Sequence, residues 1–93
     1  MIVGAQIRAA RALIRWSAED LAHHAHLALT VVRKAEAADS APHIGENDAL
    51  ALRRALERGG VLFLDPHAEG PGVRLRKPLP AEEEAFVSDG NEG

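Results

Sequence analysis

Apolar and polar positions along residues 17–38 predict two short helices joined by a tight turn. The segment reads SAEDLAHHAHLALTVVRKAEAA, and its small and aliphatic residues recur at the three- and four-residue spacing of an α-helix. Ala22 falls where the two helices approach closely, so only a small side chain fits there. This is the pattern of a helix-turn-helix unit. The side chains predicted to be buried between its helices are Leu21, Ala25, Leu27, Val32 and Ala35.

The boundaries of these two helices follow from local signals. Ser17 is a good N-cap, and Asp20 stands three residues later, which is the spacing of a capping box. The first helix is predicted to end near Ala25, the turn to occupy residues 26–28, and the second helix to run over about 29–38. His26 stands where the turn requires positive φ, at a cost of about 1 kcal/mol relative to glycine.

A helix is predicted on each side of this unit. Residues 4–15 carry a helical apolar stripe beside three arginines, and Trp16 is expected to pack against the following helix. Residues 46–58 carry a second stripe, opened by Gly45 or Asn47 and closed by two glycines. The first stripe consists of Ile7, Ala10 and Ile14, with Leu13 beside it. The second consists of Ala49, Leu52 and Leu56, with Leu50 beside it.

The C-terminal third predicts a β-hairpin followed by an acidic tail. Residues 61–64 form a short apolar run, and residues 73–77 alternate apolar with basic side chains. Residues 78–93 are rich in Pro, Glu and Gly and are predicted to be disordered. The expected fold is mainly α, a bundle of four to five helices with a helix-turn-helix, followed by the hairpin. Residues 1–77 would form one domain and residues 78–93 a tail.

Composition limits the core and the class of protein. The chain has 93 residues, of which only three are aromatic, so the core is aliphatic and thin and is expected to be completed by self-association. Cysteine is absent, which excludes a disulfide framework or a thiolate zinc site and fits a reducing cytoplasm. No run of residues has the length and apolar character of a membrane span, and arginines interrupt the N-terminal apolar stretch.

The charge is divided unevenly along the chain. All eleven Lys and Arg lie within residues 1–77, where nine acids leave a net charge of +2. The tail carries five acids and no base, so the whole chain has a net charge of −3. A weakly basic body with an acidic tail is compatible with DNA binding. Glu82, Glu83 and Glu84 are best interpreted as solubilising residues.

These elements and their order resemble the Xre/Cro-like, phage-repressor-type helix-turn-helix regulators, over residues 4–58. The run GPGVRLRK resembles the C-terminal hairpin of a small bacterial subgroup of that family. The resemblance implies a lambda-repressor-like fold and an ion pair between Arg11 and Glu36 that joins the first helix to the recognition helix. It also implies a set of DNA-binding positions, which are Ser17, Ala28, Leu29, Thr30, Arg33 and Lys34.

Several positions depart from that family pattern. The family usually has Gln at position 18, Gly at 26, Ser or Thr at 28, and Gly at 38. This chain has Ala18, His26, Ala28 and Ala38 at these positions. Ala18 removes a polar DNA contact, and Ala28 removes the usual cap of the recognition helix. The buried pattern is intact, so these changes bear on DNA affinity and leave the fold assignment in place.

The remaining chemistry of the sequence is sparse. The histidines His23, His24, His26, His43 and His67 lack an acidic partner at the spacing of a known zinc motif, so we expect no metal and no cofactor. Ser17 is explained as a cap, and no paired carboxylates or glycine-rich phosphate loop occur. We therefore expect a protein without enzymatic activity.

Two hypotheses of function follow. The first is a sequence-specific DNA-binding transcriptional regulator that acts as a homodimer at the nucleoid in the cytoplasm, with residues of about 29–38 in the major groove. Arg8, Arg15, Arg53 or Arg54 would assist on the DNA backbone. The second is a protein-binding antiactivator or antitoxin-like module on the same fold, docking through Leu29 and the hairpin. A regulatory protein partner fits both hypotheses.

Overall fold

A computed structural model describes residues 2–41, 43–64 and 70–77 of the chain, and the predicted tail 78–93 lies outside these residues. The described residues form a mainly helical fold with a short antiparallel hairpin after the helices, which confirms the predicted fold class. Four helices and two strands are present in the described ranges. They are α1 (Gly4–Ile14), α2 (Ala18–Ala25), α3 (Leu29–Glu36), α4 (Glu46–Arg58), β1 (Val61–Leu64) and β2 (Gly72–Leu75).

Three elements differ from the sequence prediction, by one or two residues at an end. Helix α1 ends at Ile14 because Arg15 takes a left-handed conformation, with φ 60°, and its N–H bonds back to the carbonyl oxygen of Ala12. Helix α3 ends at Glu36, two residues before the predicted end. The carbonyl oxygens of residues 39 and 40 instead accept the N–H groups of residues 5 and 4, so the chain after α3 satisfies the start of α1. Strand β2 covers 72–75 instead of 73–77.

The core is aliphatic, as the composition predicted, and all four helices and the hairpin contribute to it. The predicted seam residues of α2 and α3 are buried, except that Leu27 is half-buried. The buried apolar side chains are Ile2, Ile7, Ala10, Leu21, Ala22, Ala25, Val32, Ala35, Ala49, Leu52, Ala55, Leu56, Val61 and Phe63. Because most of them are Ala, Val, Leu or Ile, the elements pack closely around a small core.

The hairpin presents one face to the helices and the other to solvent. Val61 pairs with Leu75 and Phe63 with Val73, and these four side chains point to the helices. The intervening pair, Leu62 opposite Arg74, points away from the core. The hairpin therefore covers the helices with one of its faces.

One glutamine ties α1 to the loop end of the hairpin. Gln6 is only 4% exposed, and its Nε2 donates to the carbonyl oxygens of Leu64 and Gly72 at 3.3 and 3.0 Å. Its Oε1 accepts the N–H of Val3 at 2.9 Å. The buried amide is thus fully used, which offsets the cost of removing it from water. The sequence analysis did not identify this residue.

Gly4 lies where the start of α1 approaches the backbone at the end of α3 closely. A Cβ built on Gly4 would overlap the carbonyl oxygen of Ala38 and lie 2.8 Å from that of Ala35. Helix α1 therefore begins against the end of α3 at a distance that only glycine permits.

Candidate nucleic-acid interface

Helix α2 begins with the capping box that the sequence predicted. Ser17 Oγ accepts the N–H of Asp20 at 2.9 Å, and Asp20 Oδ2 accepts the N–H of Ser17 at 2.9 Å. These hydrogen bonds with Ser17 lower the pKa of Asp20 from its ordinary value of 3.8. Ser17 is exposed, and because its oxygen accepts a bond, its hydroxyl proton can still be donated to a phosphate.

The turn between α2 and α3 has the strained backbone that the sequence predicted. His26 adopts φ 58° and ψ 43°, the left-handed region, and its N–H bonds to the carbonyl oxygen of His23 at 3.2 Å. The N–H of Leu27 bonds to the carbonyl oxygen of Ala22 at 2.9 Å. These two bonds satisfy the C-terminal end of α2, so the turn holds α3 at a fixed angle to it.

Helix α3 separates buried and exposed residues cleanly. Val32 and Ala35 are fully buried on its inner side, whereas Thr30, Arg33 and Lys34 are exposed on the outer side. The spacing of these three residues places them on one face of the helix. We call Thr30, Arg33 and Lys34 the outer face of α3.

The other two predicted contact positions lie at the beginning of α3. Ala28 is exposed and is the N-cap, but it has no side chain that could bond to the helix. Leu29 is half-buried and packs against the core, so its side chain is shared between the core and the surface. The start of α3 therefore offers its free backbone N–H groups, without a polar side chain beside them.

Arg11 of α1 and Glu36 of α3 form a bidentate ion pair. Arg11 Nε lies 2.7 Å from Glu36 Oε2, and Arg11 Nη2 donates to Glu36 Oε1 at 3.0 Å. The side chains are 22% and 10% exposed. Arg11 Nη1 also donates to the carbonyl oxygen of Trp16 at 3.0 Å, and the hydrogen bonds with Glu36 raise the pKa of Arg11. The pair fixes the last turn of α3 against α1, with two parallel bonds that set its orientation.

A second arginine of α1 reinforces this attachment. Arg8 donates to the carbonyl oxygen of Glu36 and forms an ion pair with Asp39. Arg8 is therefore engaged at the end of α3, which differs from the predicted contact with the DNA backbone. The two acids nearest the end of α3 are both paired with arginines of α1. The family resemblance implied the Arg11–Glu36 pair, and the contacts of Arg8 with Glu36 and Asp39 were not predicted.

The other predicted backbone contacts divide into engaged and exposed residues. Arg53 Nε bonds to Glu57 Oε2 at 3.0 Å, and its guanidinium lies 5.4 Å from the centre of the Phe63 ring. Arg15 and Arg54 are exposed. In the described part of the chain, no ion pair involves either of them, nor Arg33 or Lys34. These cations remain available to an anion.

Trp16 and the histidines of α2 form a small stack at the surface. The rings of Trp16 and His24 lie 4.2 Å apart and are nearly parallel, and His23 meets His24 edge to face. Trp16 therefore packs against α2, as predicted. Among residues 2–41, 43–64 and 70–77, no three His, Asp or Glu side chains form a group that could hold a metal ion.

Two further findings concern membrane spans and the comparisons with known proteins. No described helix combines the length and the apolar character that crossing a bilayer requires. No family model matches the chain, and no curated protein matches it significantly.

Proposed function

We propose that the chain is a sequence-specific DNA-binding transcriptional regulator, without catalytic activity, that acts at the nucleoid in the cytoplasm as a homodimer. The observation that carries this proposal is the outer face of α3. Thr30, Arg33 and Lys34 project together from a short helix whose opposite side is locked into the core. A helix-turn-helix protein uses such a face to reach base edges.

The dimensions and the chemistry of α3 suit the major groove. The helix has eight residues. An α-helix is about 10–12 Å across with its side chains, so it fits into the major groove, which is about 12 Å wide. Arg33 can donate two hydrogen bonds to guanine O6 and N7, and Lys34 can donate to guanine or phosphate. Thr30 can donate to phosphate or contact a thymine methyl group.

Electrostatics favour an anionic partner at this face. Glu36 and Asp39 stand beside the end of α3, and their charges are paired with Arg11 and Arg8. The outer face therefore keeps an uncompensated positive charge, although the whole chain has a net charge of −3. Ser17 at the start of α2 would bind a flanking phosphate, which would fix the register of α3 in the groove.

Selection of bound fragments from a genomic DNA pool tests the proposal. Enrichment of a common sequence with two-fold symmetry, and half-sites about one helical turn apart, is the expected result. Binding that shows no sequence preference would contradict the specific function. Affinity is then measured on the enriched site at several salt concentrations, because phosphate contacts release counterions.

Alanine substitutions locate the interface. Arg33→Ala and Lys34→Ala should each weaken specific binding by about 1–3 kcal/mol if the side chain reads a base. A phosphate contact would instead reduce the salt dependence for all sequences alike. Arg74→Ala is the matched control, because Arg74 is an exposed arginine on the outward side of the hairpin. Unchanged binding by both α3 variants would remove this helix from the interface.

The protein-binding alternative is supported by the outward side of β1. Leu62 and Leu64 lie on the same side of the strand, away from the core, and Leu64 is 42% exposed. A strand with apolar residues on both sides suits a protein partner. Absence of any salt-dependent DNA binding at low ionic strength would favour this second function.

A further inference from the structure

The outward side of α4 carries an acid, a leucine and a base at intervals of four residues. Glu46, Leu50 and Arg54 are all exposed, and Leu50 is 43% exposed. The spacing places the three side chains in one stripe along the helix. We call these residues the α4 stripe. The opposite side of α4 is buried in the core through Ala49, Leu52, Ala55 and Leu56.

The α4 stripe is complementary to itself when reversed. Glu46 lies four residues before Leu50, and Arg54 lies four residues after it. If a second α4 packs antiparallel, with a two-fold axis at Leu50, each Glu46 faces the Arg54 of the other copy. Two-fold symmetry requires such a patch, in which the same surface matches itself.

Arg54, and not its neighbour Arg53, is the available partner for Glu46 of a second copy. Arg53 is held by Glu57 and by the face of Phe63, so its charge is already compensated. Arg54 takes part in no ion pair among residues 2–41, 43–64 and 70–77. The same holds for Glu46. The stripe thus has one negative and one positive side chain, each four residues from Leu50.

A groove beside Leu50 gives the second leucine a place to pack. Its volume is about 310 Å³, and it is lined by Ile2, Glu46, Asn47, Ala49, Leu50 and Arg53. Leu50 forms one wall, so it does not fill the groove itself. Under the two-fold arrangement each copy inserts its Leu50 into the groove of the other. Burial of this apolar surface is the main attraction, because exposed ion pairs contribute little by themselves.

From these observations we infer that a second copy of this chain docks on the α4 stripe, with the two α4 helices antiparallel. Leu50 supplies the central apolar contact, and the two Glu46–Arg54 pairs set the direction. The inference assigns a surface to the homodimer of the proposed function, and it does not depend on binding to DNA. Its experiments therefore use the protein alone.

Charge reversal in mixtures gives the sharpest test. Glu46→Arg places two arginines at each contact and Arg54→Glu places two carboxylates, so each variant alone should dimerise about tenfold more weakly. An equimolar mixture of the two variants restores both opposite-charge contacts and should form a heterodimer as tight as the natural dimer. Sedimentation velocity and native mass spectrometry of the full chain, from about 1 μM to about 1 mM, measure the two species.

A leucine substitution tests the centre of the contact. Leu50→Glu places two carboxylates at the two-fold axis and should weaken the dimer about 100-fold. Leu13→Glu is the matched control, because Leu13 is an exposed leucine on α1 with a similar exposure of 39%. Circular dichroism and urea unfolding establish that each variant is folded.

Four results would overturn the inference. The natural chain could be monomeric throughout this concentration range, whether or not the monomer binds DNA. It could form a dimer that is insensitive to Leu50→Glu and to both charge reversals. Leu13→Glu could weaken the dimer as strongly as Leu50→Glu does. Finally, the mixture of Glu46→Arg and Arg54→Glu could fail to recover the heterodimer while both chains are folded.

Discussion

The outward faces of α3 and α4 differ in how their charges are compensated. On α3 the exposed residues are Thr30, Arg33 and Lys34, and the nearby acids are paired with arginines of α1. On α4 an exposed acid and an exposed base stand symmetrically on either side of Leu50. The face of α3 therefore carries charge of one sign, and the face of α4 carries both signs in balance.

This difference is the reason that the two proposals give the two faces different partners. A face with uncompensated positive charge is complementary to a polyanion, and its binding weakens with salt. A face with balanced charges about an apolar centre is complementary to a reversed copy of itself. Overall net charge does not separate the two cases, since both faces belong to a chain with a net charge of −3. The local pairing of acids and bases does separate them.

The largest expected effect is a loss of stability of the whole fold, on which the faces of α3 and α4 both depend. Gly4→Ala forces a Cβ into the carbonyl oxygen of Ala38, so α1 must move away from the end of α3. We expect a loss of about 3 kcal/mol in the free energy of unfolding, which exceeds the gain of about 1 kcal/mol in helix propensity. Urea unfolding measures it. Gly45→Ala is the control, because nothing lies within 4 Å of a Cβ at Gly45. Equal stability of both variants would contradict the prediction.

The next largest effect concerns the ion pair that attaches α3, but not α4, to α1. Removal of one partner of the Arg11–Glu36 pair leaves the other charge partly buried and unpaired, so Arg11→Ala and Glu36→Ala should each lower stability by about 2 kcal/mol. The double variant should lose less than the sum of the two. A double-mutant cycle by urea unfolding measures this coupling. Additive losses would show that the two side chains act independently. DNA affinity should fall more than dimer affinity, since the pair holds α3.

Substitutions of the N-cap residues of α2 and α3 should change stability in opposite directions. Helix α2 has a complete capping box, whereas Ala28 gives α3 no side-chain cap. Ser17→Ala should lower stability by about 1 kcal/mol, and Ala28→Ser should raise it by about the same amount. Thermal unfolding of both variants measures the two changes. A loss of stability in Ala28→Ser would show that the start of α3 does not admit a serine cap.

The smallest effect is a dependence on acidity at the start of α2. The folded-state pKa of Asp20 is lowered by its hydrogen bonds with Ser17, so its contribution is present above the ordinary value of 3.8 and is lost as pH falls through the folded-state pKa. Asp20→Asn should remove this part of the acid dependence. Unfolding of both proteins as a function of pH measures the difference. Identical acid profiles would contradict the role of the carboxylate.

Much of the fold was predictable because its signals are local. The three- and four-residue spacing of apolar residues such as Leu21, Val32 and Ala35 identifies a buried seam. The positive φ of His26 was expected because a helix-turn-helix unit usually has glycine at the first turn residue. The start of α2 was predictable because a capping box involves residues three apart. The outer face of α3 is the complement of its buried side, so its residues were also predictable.

Contacts between distant residues were not predictable in this way. The closeness of Gly4 to Ala38, and the bonds from Gln6 to Leu64 and Gly72, join residues that are far apart in the chain. The same is true of the contacts of Arg8 with Glu36 and Asp39, because the sequence offered Arg8 only as one of four alternative arginines for the DNA backbone.

By itself, the sequence determined which residues are helical and which side of each helix is apolar, since the α-helical repeat fixes both within a few residues. Apart from the Arg11–Glu36 pair, which the family resemblance implied, only the tertiary structure decided which arginines pair with acids and which remain exposed. It also decided that the polar side chain of Gln6 is buried between α1 and the hairpin. Burial depends on how complete helices and the hairpin pack together, and no local pattern specifies that arrangement.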